Sequence, residues 1–493
     1  MATKTPNLGL TKPDPSEYYD IEVFNTNADK IDKAISDNSL RIDAQGKLID
    51  DFDYHYRAGD VIDTIRNDLS RNWVLCNGEE FQQKDYPELA DAYSPIQALN
   101  GGFDKHFAIL GTSTASQGRS IIYGMDYHDG IYGFCGWLNG SDADTDNYNQ
   151  ARAAIAYTTD LKTFKSKTVW TSSNNAFPAE AYNIRYLNGE WIICGTNQSV
   201  ADSQYTSMAI IYHGKSLDGA LSEIEYKKTS GSKPSAEYAV YDVLFIEGQY
   251  IILYREGTDD IKADIRASLT SGTVRTMTIE KEGFWSTGAG VPPRRLYYGN
   301  GVIFFSVYDA VYYINGISDW GNLKKLDSGI RKARYIKYLN DYYYVCGASE
   351  WNDGSSRIAR AKSPDGTFEM VMDSTTGSFE ETCVNIFYMN GYYLALIDDD
   401  YDGNDTSECK LVYTTDFKKW TKLVTFQSAT YDTRSYESMI DPQSDKKLIV
   451  TVTSGSSYSE GGVVVNKLVL PKAPEDNGSA YRYVKINNNG GTA

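Results

Sequence analysis

The sequence predicts a mainly β protein: a seven-bladed β-propeller joined to a small α+β domain and an extended-to-helical N-terminal segment. Two observations lead there. A hairpin motif recurs seven times at the spacing of a propeller blade, and the chain ends differ in texture from the repeated middle. The copies read YHDGIYGFC, YLNGEWIIC, FIEGQYIIL, YGNGVIFFS, YLNDYYYVC, YMNGYYLAL and, more weakly, PQSDKKLIV. Their second turn residues are Gly130, Gly189, Gly248, Gly301, Asp341, Gly391 and Asp445, at spacings of 59, 59, 53, 40, 50 and 54 residues.

The hairpin aligns without gaps. Five residues before the turn Gly/Asp lie Met125, Ile184, Val243, Leu296, Ile336, Ile386 and Ile440. Three before it lie Tyr127, Tyr186, Phe245, Tyr298, Tyr338 and Tyr388, with Pro442 the exception. Two after it lie Tyr132, Trp191, Tyr250, Ile303, Tyr343 and Tyr393, with Lys447 the exception. The dipeptides Asn-Gly and Asp-Gly supply the positive φ of a type I′ turn. In such a hairpin positions −3 and +2 face each other, as do −5 and +4, so aromatic cross-strand pairs are expected in the core. Positions +3 and +5 are also mostly apolar. Sheets buried on both faces are what blades stacked around an axis require.

A second signature follows each hairpin. AYTTDLKTF (156–164), VYTTDFKKW (412–420) and AKSPDGTFEM (361–370) share Ser/Thr, then Asp, then an aromatic, and HGKSLDGAL and NGISDWGNL are looser versions. An Asp in this place caps its own turn through backbone N–H groups. These segments resemble the Asp-boxes of sialidase-like propellers, a structural motif that says nothing of catalysis.

Composition narrows the function classes. The 493 residues carry 48 basic and 66 acidic side chains, a net charge of −18, which disfavours nucleic acid or an anionic membrane as partner. Four histidines make zinc or Ser-His chemistry a poor expectation. The opening MATKTPNLGLTKPDP has no apolar core of a signal peptide, and no run of 18 apolar residues spans a bilayer. The six cysteines (Cys76, Cys135, Cys194, Cys346, Cys383, Cys409) show no CxxC pair and read as reduced thiols of a protein folded in a cytoplasm.

Residues 1–40 hold three prolines between Pro6 and Pro15, then a short helix expected over Asn27 to Ile35 with Asn27 as its cap. The run Leu8-Gly9-Leu10-x-Lys12-Pro13, followed by Asp20-Ile21, Asn25-x-Asn27 and Asp29-x-Ile31-Asp32, resembles the N-terminus of phage tail fibres and receptor-binding proteins that attack Gram-positive bacteria. Residues 41–100 carry Ala58-Gly59-Asp60-Val61-Ile62, Asn72-Trp73-Val74-Leu75-Cys76-Asn77-Gly78 and Asp85-Tyr86-Pro87-Glu88-Leu89. These resemble the phage tail-collar domain, with Asn72 in place of its usual Gly. Leu470-Pro471 and Tyr481-Arg482-Tyr483-Val484-Lys485-Ile486 are similar to that domain's closing strand. Residues 101–471 are then a propeller inserted in the collar domain, and 472–493 its returning strand. The rival reading makes that strand close the propeller ring.

The resemblances imply a virion component at the tail or baseplate periphery, made in the host cytoplasm. Its N-terminus would hold the baseplate and its propeller a host surface glycan or protein, as a homo-oligomer or in many copies per tail. Tyr148, Tyr205, Tyr401, Tyr431 and Tyr458, in polar loops, would offer rings for sugar stacking. The enzyme alternative is a propeller glycosidase acting on surface polysaccharide. For it, Arg185, Arg294, Arg295 and Arg334 near the starts of inner strands would face the channel, although no carboxylate pair presents itself. A purely structural spacer is the third class. One metal site is a candidate: Asp398, Asp400 and Asp402, alternating before Gly403, suit the oxygen shell of Ca2+. An EF-hand needs Glu at loop position 12, where Cys409 stands. The competing reading is a solvated acidic loop, as it is for Asp142, Asp144 and Asp146.

Overall fold

The computed structural model describes residues 3–4, 10–12, 21–54, 56–64, 69, 72–111, 120–138, 152–171, 179–201, 204–231, 237–257, 260–272, 274–281, 294–307, 310–349, 355–377, 379, 382–398, 409–426, 433–434, 437–454, 460–470 and 481–486. It separates into two compact units, residues 94–467 and residues 1–93 with 468–493.

The larger unit is a seven-bladed β-propeller. Six four-stranded antiparallel meanders occupy residues 120–171, 179–231, 237–281, 295–325, 332–372 and 382–426. The seventh sheet takes its inner strands from 433–454, then Glu460–Asn466, and its outermost strand from Phe103–Phe107, which precedes the first blade in sequence. The two ends of the propeller segment are thereby hydrogen-bonded into one blade. Ring closure is repeated in side chains: the Tyr132 hydroxyl of blade 1 donates to Asp441 of blade 7, and the Gly461 amide donates to the Ser120 hydroxyl.

The repeat arithmetic appears directly in the strand register. Tyr127 pairs with Tyr132, Tyr186 with Trp191, Phe245 with Tyr250, Tyr298 with Ile303, Tyr338 with Tyr343 and Tyr388 with Tyr393. The six turns carry positive φ at both central residues, from Asp129-Gly130 (45° and 81°) to Asn390-Gly391 (44° and 90°). Side-chain alternation then sends +2 and +4 to the interface with the preceding blade and +3 and +5 to the following one. In blade 3, Tyr250 and Ile252 join the core shared with blade 2, while Ile251 and Leu253 join the core shared with blade 4. Seven such clusters complete the circle.

The seventh copy departs from the pattern. Ile440 pairs with Leu448, so residues 441–447 form a longer loop in place of a two-residue turn. Pro442 has no N–H to give, and Asp441 organises the loop by accepting from the Gln443 amide at 2.9 Å. The Asp-box turns sit between the third and fourth strands. The Asp160 carboxylate accepts from the Lys162 and Thr163 amides, both at 2.8 Å, and the Asp416 carboxylate from Lys418 at 3.0 Å. The aromatic of the motif ties neighbours together: the Trp420 indole donates to the Val371 carbonyl of blade 5 at 2.8 Å. All six cysteines are buried thiols, none of them in a disulfide.

In the smaller unit α1 runs from Ile21–Tyr54. It replaces the short helix expected over Asn27 to Ile35 and crosses the boundary expected at residues 40 and 41. Asn27 is no cap. It lies inside the helix, and its amide pairs in both directions with the backbone of Thr11, each bond 2.8 Å. The α+β core is a three-stranded sheet in which Tyr481–Lys485 lies between Val61–Thr64 and Trp73–Leu75. The last strand pairs here and not in the propeller. Trp73, Cys76, Phe81, Leu89 and Val484 are buried, and Asn77-Gly78 turns the chain with Gly78 at φ 75°. Helix α2 is Pro87–Ala92. The unit boundaries fall at 93/94 and 467/468 rather than 100/101 and 471/472. At the first boundary the difference lies in helix α3, Pro95–Leu99, whose Leu99 packs into the core between blades 6 and 7; at the second, Leu468 and Leu470 bond with the backbone of Phe81 and Glu79.

Candidate functional site

The inner strands build the axis by a repeated defect. In blades 1, 2, 3, 5 and 6 the register skips one residue seven places before the turn Gly/Asp: Tyr123, Tyr182, Tyr241, Arg334 and Val384. A bulge re-aims the side chain of the extra residue. Tyr123 and Tyr182 lie with ring centroids 5.7 Å apart, Tyr182 and Tyr241 5.3 Å apart. Arg294, at the matching position of blade 4, places its guanidinium 4.5 Å from the Tyr241 centroid. One residue further on, Asn183, Asp242 and Asn385 each accept the N–H of the residue that follows them.

Arg295 closes the axis at this level. Its guanidinium donates to the carbonyl of Tyr182 at 2.9 Å and to the carbonyl of Tyr123, and its Nε lies 3.7 Å from a Glu437 oxygen. These partners belong to blades 2, 1 and 7, so a blade 4 side chain reaches across the centre. Arg185 forms a two-pronged pair with wholly buried Asp242, both contacts 2.7 Å, and donates to the Leu296 carbonyl at 2.9 Å. Asp242 also takes the Asn183 amide at 2.6 Å and the Leu296 N–H at 2.8 Å. Burial alone would lower the Arg185 pKa, but the Asp242 carboxylate holds it above the ordinary value.

In two carboxyls burial prevails over the neighbouring charges and donors. Burial raises Glu437, against the pull of Arg295 and the Ser438 amide. Burial also raises Asp126, although that carboxylate receives the Tyr127 and Tyr186 amides at 2.9 and 2.7 Å and thereby joins blades 1 and 2. Burial lowers Lys337, whose ammonium sits 4.6 Å from the Phe387 centroid. Of the arginines singled out by sequence, then, Arg185, Arg294 and Arg295 do converge on the axis. They are engaged there by Asp242, by Tyr241 and by backbone carbonyls. Arg334 occupies the bulge of blade 5. The axial role of Tyr123, Tyr182, Tyr241 and Glu437 was not drawn from the sequence. Its signal was available, because the three tyrosines share one position in the repeat.

The hairpin ends form a second feature. Tyr127, Tyr186, Phe245, Tyr298, Tyr338 and Tyr388 all stand one residue before the inner turns, so they surround the same mouth of the axis. Both members of each pair were expected in the core. The +2 members are indeed largely buried, while the −3 members keep one side open, with Tyr298 41% and Tyr388 37% exposed. The reason is position: −3 adjoins the turn, beyond the reach of the neighbouring blade. Adjacent blades are latched at this rim, where Asn188 donates to the Tyr250 hydroxyl and Asn340 to the Tyr393 hydroxyl, both 3.1 Å.

Of the proposed calcium ligands, Asp398 is buried at the end of its strand, paired in register with Thr382. Asp400 and Asp402 lie outside the described residues, as do Asp142, Asp144, Asp146 and the side chains of the five loop tyrosines. Among the described residues no cluster of three or more His, Cys, Asp or Glu could hold a metal. No helix there is long and apolar enough to cross a membrane.

No protein-family model matches the chain, and no curated protein sequence does. Solved structures with a similar course include a Trypanosoma rangeli sialidase in complex with sialic acid, 9% identical, with a TM-score of 0.40 over 74% of this chain and 59% of that one. The chain thus spans little more than half the length of that sialidase. An endo-arabinase from Bacteroides thetaiotaomicron is 13% identical, with a TM-score of 0.27 over 48% of this chain and 94% of its own.

Proposed function

We propose that the protein is an adhesin of the tail-fibre type: the N-terminal segment fastens it to a phage or phage-like baseplate, and the propeller engages a host surface glycan. The observation that carries the glycan reading is the rim of half-open aromatic rings around one mouth of the propeller. Such rings stack on sugar faces with little loss of side-chain entropy. The motifs at Leu8 to Asp32 and at Asn72 to Gly78 support the tail-fibre part. Adhesion is favoured over hydrolysis because Arg185 and Arg295 are already committed to Asp242 and to backbone carbonyls. A substrate carboxylate would have to displace these partners.

A second reading, hydrolysis of surface polysaccharide, is favoured by Glu437. A carboxyl raised by burial beside an axial guanidinium suits a general acid. One experiment separates the two: the purified protein is titrated onto whole cells and extracted polysaccharide while released reducing sugar is assayed. Saturable binding without release is expected. Replacing Tyr298 and Tyr388 together by Ala should weaken it by roughly 10- to 30-fold, at about 1 kcal/mol per stacking ring, with the melting temperature nearly unchanged. Sugar release abolished by Glu437→Gln would establish the enzyme instead.

A further inference from the structure

Position +5 of the hairpin, five residues after the turn Gly/Asp, lies on the second strand and meets the start of the next blade's inner strand. Three junctions show this. The Cys135 thiol of blade 1 donates to the Ala181 carbonyl of blade 2 at 3.4 Å. Cys194 of blade 2 packs in one cluster with Val240 of blade 3. The Ser306 hydroxyl of blade 4 donates to the Arg334 carbonyl of blade 5. Ala181 and Val240 stand eight residues before their turns, and Arg334 seven before.

At the junction of blades 5 and 6 both places are cysteine. Cys346 is at +5 of blade 5, on the strand Tyr342–Ala348, and Cys383 is at −8 of blade 6, on Thr382–Met389. Both are 0% exposed and belong to one core cluster. Their thiols share a hydrogen bond. The backbone holds the two strands at this approach. Ser356, paired in register with Ala348, donates its N–H at 2.8 Å to the Phe379 carbonyl, just ahead of the blade 6 inner strand. The other four thiols are placed differently. Cys135 and Cys194 meet Ala181 and Val240, Cys409 packs into the core between blades 6 and 7, and Cys76 belongs to the smaller unit.

We infer that Cys346 and Cys383 are a redox pair that closes into a disulfide between blades 5 and 6 when the chain meets a small-molecule disulfide. In the first step one protein thiolate attacks a sulfur of the small disulfide and expels a small thiolate. The second protein thiolate then attacks the mixed disulfide at the protein sulfur and expels the other half. Two protein thiols and one small disulfide thus become one protein disulfide and two small thiols. The protein sulfurs lose two electrons, and their two protons pass to the leaving thiolates.

Burial sets the rate and the direction. It holds the Cys383 thiol well above its ordinary pKa, and only the thiolate attacks, so exchange runs through opening of the interface between these blades. The product carries no charge and no N–H or O–H, so the same apolar core accepts it. Once the interface has closed again, packing shields the bridge from reductants. The bridge also ties residue 346 to residue 383 in the unfolded chain, which favours the fold.

The test uses the full chain with all six thiols reduced. It is incubated with oxidised glutathione in urea below the unfolding midpoint and returned to buffer. Thiols are then counted in denaturant, and linked peptides are mapped by mass spectrometry. Two of the six thiols should be lost, with Cys346 linked to Cys383. The melting temperature should rise by a few degrees and fall back on reduction. Cys383→Ala should keep all its remaining thiols, whereas Cys409→Ala should still lose two. Six retained thiols, glutathione attached without a bridge, a bridge to any other cysteine, or a bridge that lowers the melting temperature overturns the proposal. Should Cys383→Ala fail to fold, the wild-type peptide map decides by itself.

Discussion

Asp242 receives five hydrogen bonds from four residues on three blades, and its carboxylate is the counter-charge that allows Arg185 to be desolvated. Removing one partner of such a pair leaves the other charge uncompensated. Asp242→Ala is expected to cost about 3 kcal/mol or more, read from urea denaturation, whereas charge removal at exposed Lys418 should be nearly silent. Asp160 makes a prediction of a different kind. Backbone N–H donors from Thr163 and Lys162 hold its carboxyl down to about 2. A carboxyl depressed in the fold contributes stability above its unfolded value near 4, and that contribution is lost as pH falls through 2. Asp160→Asn should therefore lower the melting temperature at pH 6, and the gap from wild type should close near pH 2. A constant gap would mean that the turn's hydrogen bonds carry no charge assistance. Glu437, raised by burial, works in the opposite sense, and its contribution fades as pH rises.

At the scale of the hairpin, six turns solve one problem with nearly one sequence. Each needs two successive residues at positive φ, which Asn-Gly meets at least strain. Gly391, at φ 90°, has open space where a Cβ would stand, so its constraint is backbone conformation and not crowding. Gly391→Val is expected to cost about 1–2 kcal/mol, seen as a lower midpoint at unchanged m-value. Asp341 occupies the same place at φ 64°. Asp341→Gly should stabilise by a few tenths of a kcal/mol, because relief of strain exceeds the gain in unfolded-chain entropy. These turns were legible in the sequence because φ is a local property. The bulge was harder to read. Its side chains at Tyr123, Tyr182, Tyr241, Arg334 and Val384 share a place in the repeat, not a residue type, and a bulge has no fixed composition.

At the scale of the molecule, the strand Phe103–Phe107 decides whether the ring is closed. It brings the start of the propeller segment onto the last blade, so strands far apart in sequence must meet before either is stable. A fragment of residues 94–467 should unfold in one cooperative transition. A fragment of residues 108–467, lacking that strand, should expose the edge of Glu460–Asn466 and the apolar face beneath Phe103, then aggregate or melt broadly in calorimetry. Equal cooperativity in the two would show that side-chain packing between blades 1 and 7 suffices.

The blade count, the facing pairs and I′ turns of six hairpins, and the Asp-box turns were determined by the sequence alone, since each depends on residues within about ten positions of one another. Helix α1 was legible only in part: the segment expected over Asn27 to Ile35 lies inside it, but Asn27 read as a cap set the start too late and nothing local marked the extension to Tyr54. What only the tertiary structure decided involves partners distant along the chain. Arg295 meeting Tyr123, Tyr182 and Glu437 requires four blades at fixed angles around one axis. The strand Tyr481–Lys485 pairing with Val61–Thr64 requires the whole propeller to return its ends to one place. Which aromatic of each facing pair is sealed and which remains open at the rim depends on how far the next blade reaches, a distance set by packing and carried by no single stretch of sequence.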